Sequence, residues 1–268
     1  MIAFAEEAAR EAGAVLLRHF RSLDRSSVVY KGEKDMVTAA DREAQELLIR
    51  RIRERYPDDR IRAEEEGGEI DGTGGIWYVD PLDGTTNFLH GFPFFSVSVA
   101  RAEGGRVRTG VVHAPVLGET FTAVEGEGAR VNGEPIRVSA VEEPLRALAA
   151  TGFACVRSNR IPDGVPIFDR VVHRVEGMRS AGSAALDLAY VAAGRFEGFW
   201  EMNLNAWDVA AGVLLVREAG GVVTDFLGGD EMVERKELVA GNPAIHRFLL
   251  DRIAETAEAE GWKLRDEA

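Results

Sequence analysis

Cysteine is almost absent. Cys155 is the only one in 268 residues, so no internal disulfide can form and a zinc site built on cysteines is excluded. No stretch comes near 18 uninterrupted apolar residues, so no segment reads as a membrane-spanning helix. The opening MIAFAEEAAREAG mixes acids with small apolar residues and lacks the basic-then-apolar order of a secretory signal, which gives the expectation of a cytoplasmic protein. Basic charge is in deficit: 32 Lys and Arg face 45 Asp and Glu, for a net charge of −13. No basic run exceeds a few residues, which argues against nucleic acid or a membrane surface as a partner. Asn and Gln are scarce and Arg far outnumbers Lys, a bias that heat adaptation and GC-rich coding explain equally well. An acidic protein that takes an anionic substrate needs cations at its site.

What is present is an ordinary globular composition, with 46% hydrophobic and 29% charged residues. That suffices for one large domain or two tightly fused halves. Ile2, Ala5, Ala9, Ala12, Leu16 and Phe20 recur at helical steps, and residues 23–37 read as an exposed loop or weak hairpin. Thr38-Ala-Ala-Asp41 resembles a capping box, followed by the stripe Ala44, Leu47, Leu48, Ile52, so Asp41 falls in a first turn. Strands follow from Ile61: Ile76–Val79 ending at Asp80, a hairpin over Phe94–Ala100 and Val107–His113, then Glu119–Val124 and Ile136–Ser139. The second half alternates, with helices expected over 165–175, 183–193, 206–219 and 243–260 and strands over 148–153, 196–200 and 222–225. The fold class is mixed α and β, antiparallel-rich first and alternating later. The expectation is a single catalytic unit over 1–268, with approximate halves 1–142 and 143–268.

Chemistry concentrates in IWYVDPLDGTTNFLHG. An apolar strand delivers Asp80, Pro81 fixes φ, and Asp83 follows three residues on, so both carboxylates can turn to one point. Gly84 permits close backbone approach, while Thr85 and Thr86 open a helical turn whose amides favour an anion. A bare Asp-Gly-Thr is more often a surface turn; the strand before it and two further acidic motifs weigh against that here. These are Ala63-Glu64-Glu65-Glu66-Gly67, which alone would read as a solvated loop, and Asn205-Ala-Trp-Asp208, which alone would read as a helix cap. No EF-hand loop is present. The five histidines lack metal-type spacing and read as surface or packing residues.

In the order VTAAD, EEEGG, WYVDPLDGTTNFLHGFPF, RSAGSAALDLAYVAAGRFEGFWE and WDVAAGVLLVREAGG, the chain resembles the inositol monophosphatase family, within the magnesium-dependent, lithium-sensitive phosphatases. The similarity runs from about residue 30 to 225. It implies that Glu64, Asp80, Asp83 and Asp208 are metal ligands, with Leu82 lending its backbone carbonyl. By the same resemblance Thr85 orients the attacking water with Glu64, Gly84, Thr85 and Thr86 contact phosphate, and Asp41 supports the threonine. The substrate side would be Asp83, the backbone of Gly182, Ser183 and Ala184, and Glu201. Asn205, three residues before Asp208, is a further candidate there. Residues Lys31 to Asp35 resemble the family's mobile loop. A layered αβαβα sandwich and a homodimer are also implied.

Gathering four carboxylates costs about 4 kcal/mol per like-charge pair at 4 Å and an effective dielectric near 20. Divalent cations remove the conflict, and all-oxygen ligands select Mg²⁺, two or three ions, with Mn²⁺ as a possible substitute. The expected reaction is metal-assisted, in-line attack of water on a phosphomonoester of a small polyol or sugar, inositol 1-phosphate foremost. Fructose-1,6-bisphosphatase, phosphoadenosine phosphatase and histidinol-phosphate phosphatase share the scaffold and stand as alternatives. A non-catalytic sugar-phosphate or metal-binding protein predicts a missing ligand, and none is missing. A dinucleotide enzyme fits worse, because Gly72-Thr73-Gly74-Gly75 precedes a strand where a phosphate fingerprint must follow one.

Overall fold

The computed structural model describes residues 1–21, 29–30, 36–65, 68–154 and 163–262. Lys31–Asp35, Glu66 and Cys155 lie outside the described residues. Helix α1 (Ile2–His19) turns Ala5, Ala9, Ala12 and Leu16 inward, the stripe that its spacing predicts. Strands β1 (Val29–Tyr30) and β2 (Met36–Val37) pair antiparallel, the weak hairpin expected there. Helix α2 (Ala39–Arg55) begins with the capping box read from Thr38 and Asp41.

Eight strands then build one sheet: β3 (Arg60–Ala63), β4 (Glu69–Ile70), β5 (Ile76–Asp83), β6 (Ser96–Glu103), β7 (Arg106–Ala114), β8 (Glu119–Val124), β9 (Gly128–Val131) and β10 (Glu134–Ile136). Their order is β10-β9-β8-β7-β6-β5-β3-β4. Every neighbouring pair is antiparallel except β3 with β5. The strand expected over Ile136–Ser139 is displaced. The Gly-rich stretch before it supplies β9 and β10, and the Val138 amide instead donates to the Ala219 carbonyl at 3.1 Å.

The chain crosses to a second sheet between Ile136 and Leu148. Its strands are β11 (Leu148–Thr151), β12 (Gly177–Arg179), β13 (Gly198–Met202), β14 (Val222–Thr224) and β15 (Glu237–Gly241), in the order β12-β11-β13-β15-β14. β11 runs parallel to both neighbours and β15 antiparallel to both. Strands β12 and β15 lie outside the expected strands, β12 being too short for a periodicity of its own. Among the described residues the helices of this half are α4 (Val165–Val172), α5 (Ala184–Ala192), α6 (Ala206–Glu218), α7 (Met232–Arg235) and α8 (Pro243–Glu260).

Side-chain alternation divides the core into layers. From the large sheet, Trp77, Val79, Val97, Val99 and Val111 pack on α1 and α2. Ala100, Val112, Ala114, Phe121 and Ala123 face the other way, onto α5 and α6. Those helices meet Ala150, Phe199 and Ala240 of the second sheet, while Ala149, Trp200 and Val239 point outward to α4 and α8. The result is α, β, α, β, α. Among the described residues no helix is long and apolar enough to cross a membrane.

Candidate active site

The site forms where the large sheet meets the middle helices, and a strand irregularity puts it there. In β5, Asp80 pairs with Ser98 of β6 while Asp83 pairs with Ser96, so three steps on one strand match two on the other. Residues three apart in a regular strand face opposite ways. The extra residue of this bulge returns Asp83 to the face that Asp80 occupies. Pro81, which has no N–H to give a ladder, sits inside the irregular stretch. The strand therefore runs through Asp83 and does not end at Asp80.

Each partner serine ties a middle helix to the sheet. Ser98 Oγ donates to the Trp207 carbonyl at 3.2 Å, next to Asp208. Ser96 Oγ lies 3.2 Å from Ser183 Oγ, at the start of α5. Asp83 Oδ2 then accepts from Ser183 Oγ at 2.7 Å and from the Ala185 amide at 2.8 Å. Asp208, in the first turn of α6, accepts from the Asn205 amide at 2.7 Å. The second half of the chain is thereby fastened against both aspartates of β5.

Glu64 arrives from the parallel neighbour. Ala63 of β3 lies opposite Val79, and the Glu64 amide donates to the Val79 carbonyl at 3.2 Å, which sets Glu64 beside Asp80. Their carboxyl groups are within hydrogen-bonding reach of each other. The acidic turn is no solvated loop: Glu65 is buried, and Gln45 of α2 grips it twice, with 2.8 Å to its amide and 3.2 Å to its carbonyl. Of the two described acids, Glu64 turns to Asp80 and Glu65 is held by Gln45.

Asp41 lies beneath. It is fully buried and accepts from the Thr38 amide at 2.9 Å, from Thr38 Oγ1, and from Thr85 Oγ1 at 3.3 Å. Thr85 Oγ1 also lies 3.2 Å from the Leu82 carbonyl, which keeps a second lone pair. Gly84 caps the short helix α3 (Thr85–Leu89) at φ 101°. A Cβ there would stand 3.1 Å from Phe95 Cβ and 3.2 Å from the Gly182 carbonyl, so glycine is required on both counts. Asn87 bridges this turn to the other half, donating to the Phe94 carbonyl at 2.6 Å and the Ala181 carbonyl at 2.7 Å.

On the opposite wall Glu201 is buried on β13 and accepts from the Ala154 amide at 3.1 Å. It lies over Gly152, where an added Cβ would come within 2.1 Å of its carboxylate. Asn205 Oδ1 accepts from Lys236 Nζ at 3.1 Å. Reading the sequence did not single out Ser96, Ser98, Gln45, Gly152 or Lys236; none belongs to a motif, and each acts across a long gap in the chain.

The electrostatics are those of acids without enough positive charge. Burial first, then the charges of Asp208 and Glu65, push the Glu64 carboxyl well above its usual range. Burial, then Glu64, Asp83 and Asp208, do the same to Asp80. Burial raises Asp41 to about 6 against the pull of its Thr38 hydrogen bonds. Asp187 of α5 is also raised well above its usual range, by burial and then by Glu201 and Asp83, and among the described residues neither of its oxygens has a hydrogen-bond partner. Among the described residues no group of three or more His, Cys, Asp or Glu side chains is arranged as a metal site. What the fold brings within electrostatic reach of Asp80 is Glu64 just after β3, Asp83 on the same strand and Asp208 in α6, hard oxygen donors with neither sulfur nor imidazole. That chemistry fits Mg²⁺.

Residues 1–261 match the sequence profile of the inositol monophosphatase family. Nus factor SuhB of Pseudomonas aeruginosa is 46% identical over 260 residues, 94% of this chain and 95% of that protein. Inositol-1-monophosphatase of Mesorhizobium japonicum is 41% identical over 254 residues, 94% of this chain and 96% of its own length. The solved IMPase of Thermotoga maritima superimposes with a TM-score of 0.86 at 40% identity, covering 96% of this chain and 98% of that one. On a match of this extent, the chain belongs to the inositol monophosphatase family.

Proposed function

We propose that the protein is a cytoplasmic, homodimeric, Mg²⁺-dependent phosphomonoesterase for small polyol or sugar phosphates, with inositol 1-phosphate the leading substrate. The observation that carries this reading is the electrostatic convergence of Glu64, Asp80, Asp83 and Asp208. In this assignment those four side chains and the Leu82 carbonyl hold two or three Mg²⁺ ions, with Mn²⁺ able to substitute. Bound Mg²⁺ supplies the charge that activates water and neutralises phosphate. Thr85 Oγ1, backed by the Asp41 carboxylate, works with Glu64 to aim the attacking water. The backbone of Gly84, Thr85 and Thr86 cradles the phosphate at a helix start. Asp83, the Gly182-Ser183-Ala184 turn, Glu201 and Asn205 face the leaving group and take its hydroxyls.

Phosphate release by Asp208→Asn and Glu64→Gln at saturating Mg²⁺ tests the assignment: both should lose nearly all turnover, and near-normal activity in either removes that residue from the set. Rates on inositol 1-phosphate, fructose 1,6-bisphosphate, histidinol phosphate and phosphoadenosine phosphate rank the substrates. A Nus-factor role, suggested by the name of the 46%-identical relative, is a second reading compatible with hydrolysis. Failure to co-purify with transcription complexes would count against it.

A further inference from the structure

Lys236 is built into the support behind Asp208. It joins α7 to β15 in the left-handed conformation, φ 58°, which glycine adopts freely and lysine does not. From there it holds one loop twice. Its carbonyl accepts from the Leu204 amide at 3.0 Å, and its Nζ donates to Asn205 Oδ1 at 3.1 Å. Asn205 passes the constraint on, because its own amide donates to Asp208 Oδ2 at 2.7 Å. The location suits the task. Met202 pairs with Glu237 where β13 and β15 end together, so Lys236 grips the segment that leaves β13 and enters α6.

We propose that Lys236 is a positioning residue that acts through Asn205 to hold the Asp208 carboxylate in the orientation that ligates a hard divalent cation. The inference rests on the reading of Asp208 as a metal ligand. Two features of the lysine contribute. As a donor it fixes the Asn205 side chain, so the residue whose amide meets Asp208 cannot rock about its own backbone. As a left-handed kink in the backbone, it holds its own carbonyl on the Leu204 amide and fixes the loop from a second side. Groups that orient a ligand from behind commonly shift metal affinity or activity by about 10–100-fold when removed. One link further back, a shift of roughly three- to tenfold is expected.

The test uses full-length, metal-free protein and three variants. Calorimetric titration with MgCl₂ reads binding, phosphate release against Mg²⁺ concentration reads use, and heating without metal reads the fold. Lys236→Met should raise the half-saturating Mg²⁺ concentration roughly three- to tenfold. Lys236→Gly should weaken binding as much while unfolding at the same temperature or higher, since it removes both the amine and the strained backbone. Lys236→Arg, which keeps donor and charge, should bind within about twofold of the parent. The proposal is overturned if Met and Gly variants bind Mg²⁺ like the parent. Calorimetry needs no turnover: a parent protein that binds Mg²⁺ and releases no phosphate overturns the hydrolase reading, with Lys236 still judged by the shift in binding. A parent that binds no Mg²⁺ overturns both.

Discussion

Replacing Asp41 with asparagine separates the cost of burying an acid from the value of the hydrogen bonds that the same side chain makes. Burial raises its carboxyl from 3.8 to about 6. Between those values the folded protein binds more protons than the unfolded chain. The stability tied to the protonated form is fully present below pH 3.8 and is lost as pH rises through 6. At about 1.36 kcal/mol per pKa unit, the loss reaches ~3 kcal/mol at pH 8. About half of that is already felt at pH 5. Asparagine does not ionise, so the variant escapes this loss at every pH. It gives up one carboxylate oxygen, an acceptor for Thr38 or Thr85, at a cost of about 1–3 kcal/mol that does not vary with pH. Whatever its sign at the start, the difference between variant and parent should therefore move by roughly 1.4 kcal/mol in the variant's favour from pH 5 to pH 8. Urea unfolding of metal-free protein at the two pH values measures it. Identical pH dependence in both proteins would refute the reasoning. Phosphate release should fall about 10–100-fold in the variant, because Thr85 loses its carboxylate partner.

Other expectations rest on different groups. Burial, then the Arg10 charge, holds His113 down at about 4 instead of 6.5, so below pH 6.5 the unfolded chain takes the proton first. That destabilises the protein progressively to pH 4, by roughly 3 kcal/mol in full; urea midpoints of His113→Gln should lack this component. Asp187→Asn keeps the shape and removes an acid whose oxygens have no hydrogen-bond partner among the described residues, so it should stabilise the fold at pH 8 by on the order of 1–3 kcal/mol, read by the same titration. A weaker fold at pH 8 would count against it. Gly152→Ala drives a Cβ to within 2.1 Å of Glu201, and KM should rise about tenfold with a smaller change in kcat; steady-state kinetics decide, and an unchanged KM removes Glu201 from the substrate wall. Mg²⁺ should raise the melting temperature more at pH 8 than at pH 6, since binding displaces protons from Glu64 and Asp80. An equal rise at both would contradict the raised carboxyls.

The parts legible in the sequence are those whose signal is local. Thr38 and Asp41 are three residues apart and form the cap that their types predict. Helix α8 runs over the expected Pro243–Glu260, with Asn242 capping it and Pro in the first turn. Gly84 and its threonines start a helix where a glycine and two hydroxyls follow a strand. Illegible parts depend on contacts between distant segments. Seven of the eight residues of β6 are buried, so its serines leave no polar-apolar alternation to read, and their helix partners lie 87 and 109 residues away. Gln45 carries no mark of its grip on Glu65, 20 residues on. Nor does Gly152 announce that a carboxylate will lie against it.

The register shift between Asp80 and Asp83 makes the length of that segment as decisive as its composition. Point substitutions at Pro81 or Leu82 leave the residue count intact and can be tolerated in proportion to their shape. Deleting either residue removes the extra step, so Asp80 and Asp83 become alternate residues of an ordinary strand that still share a face. The local bend and added twist of the bulge are lost, and with them the approach of Asp83 to Ser183, though every acid is still encoded. Viable relatives of this enzyme should accordingly vary in what fills the gap between the two aspartates, and hold its width constant.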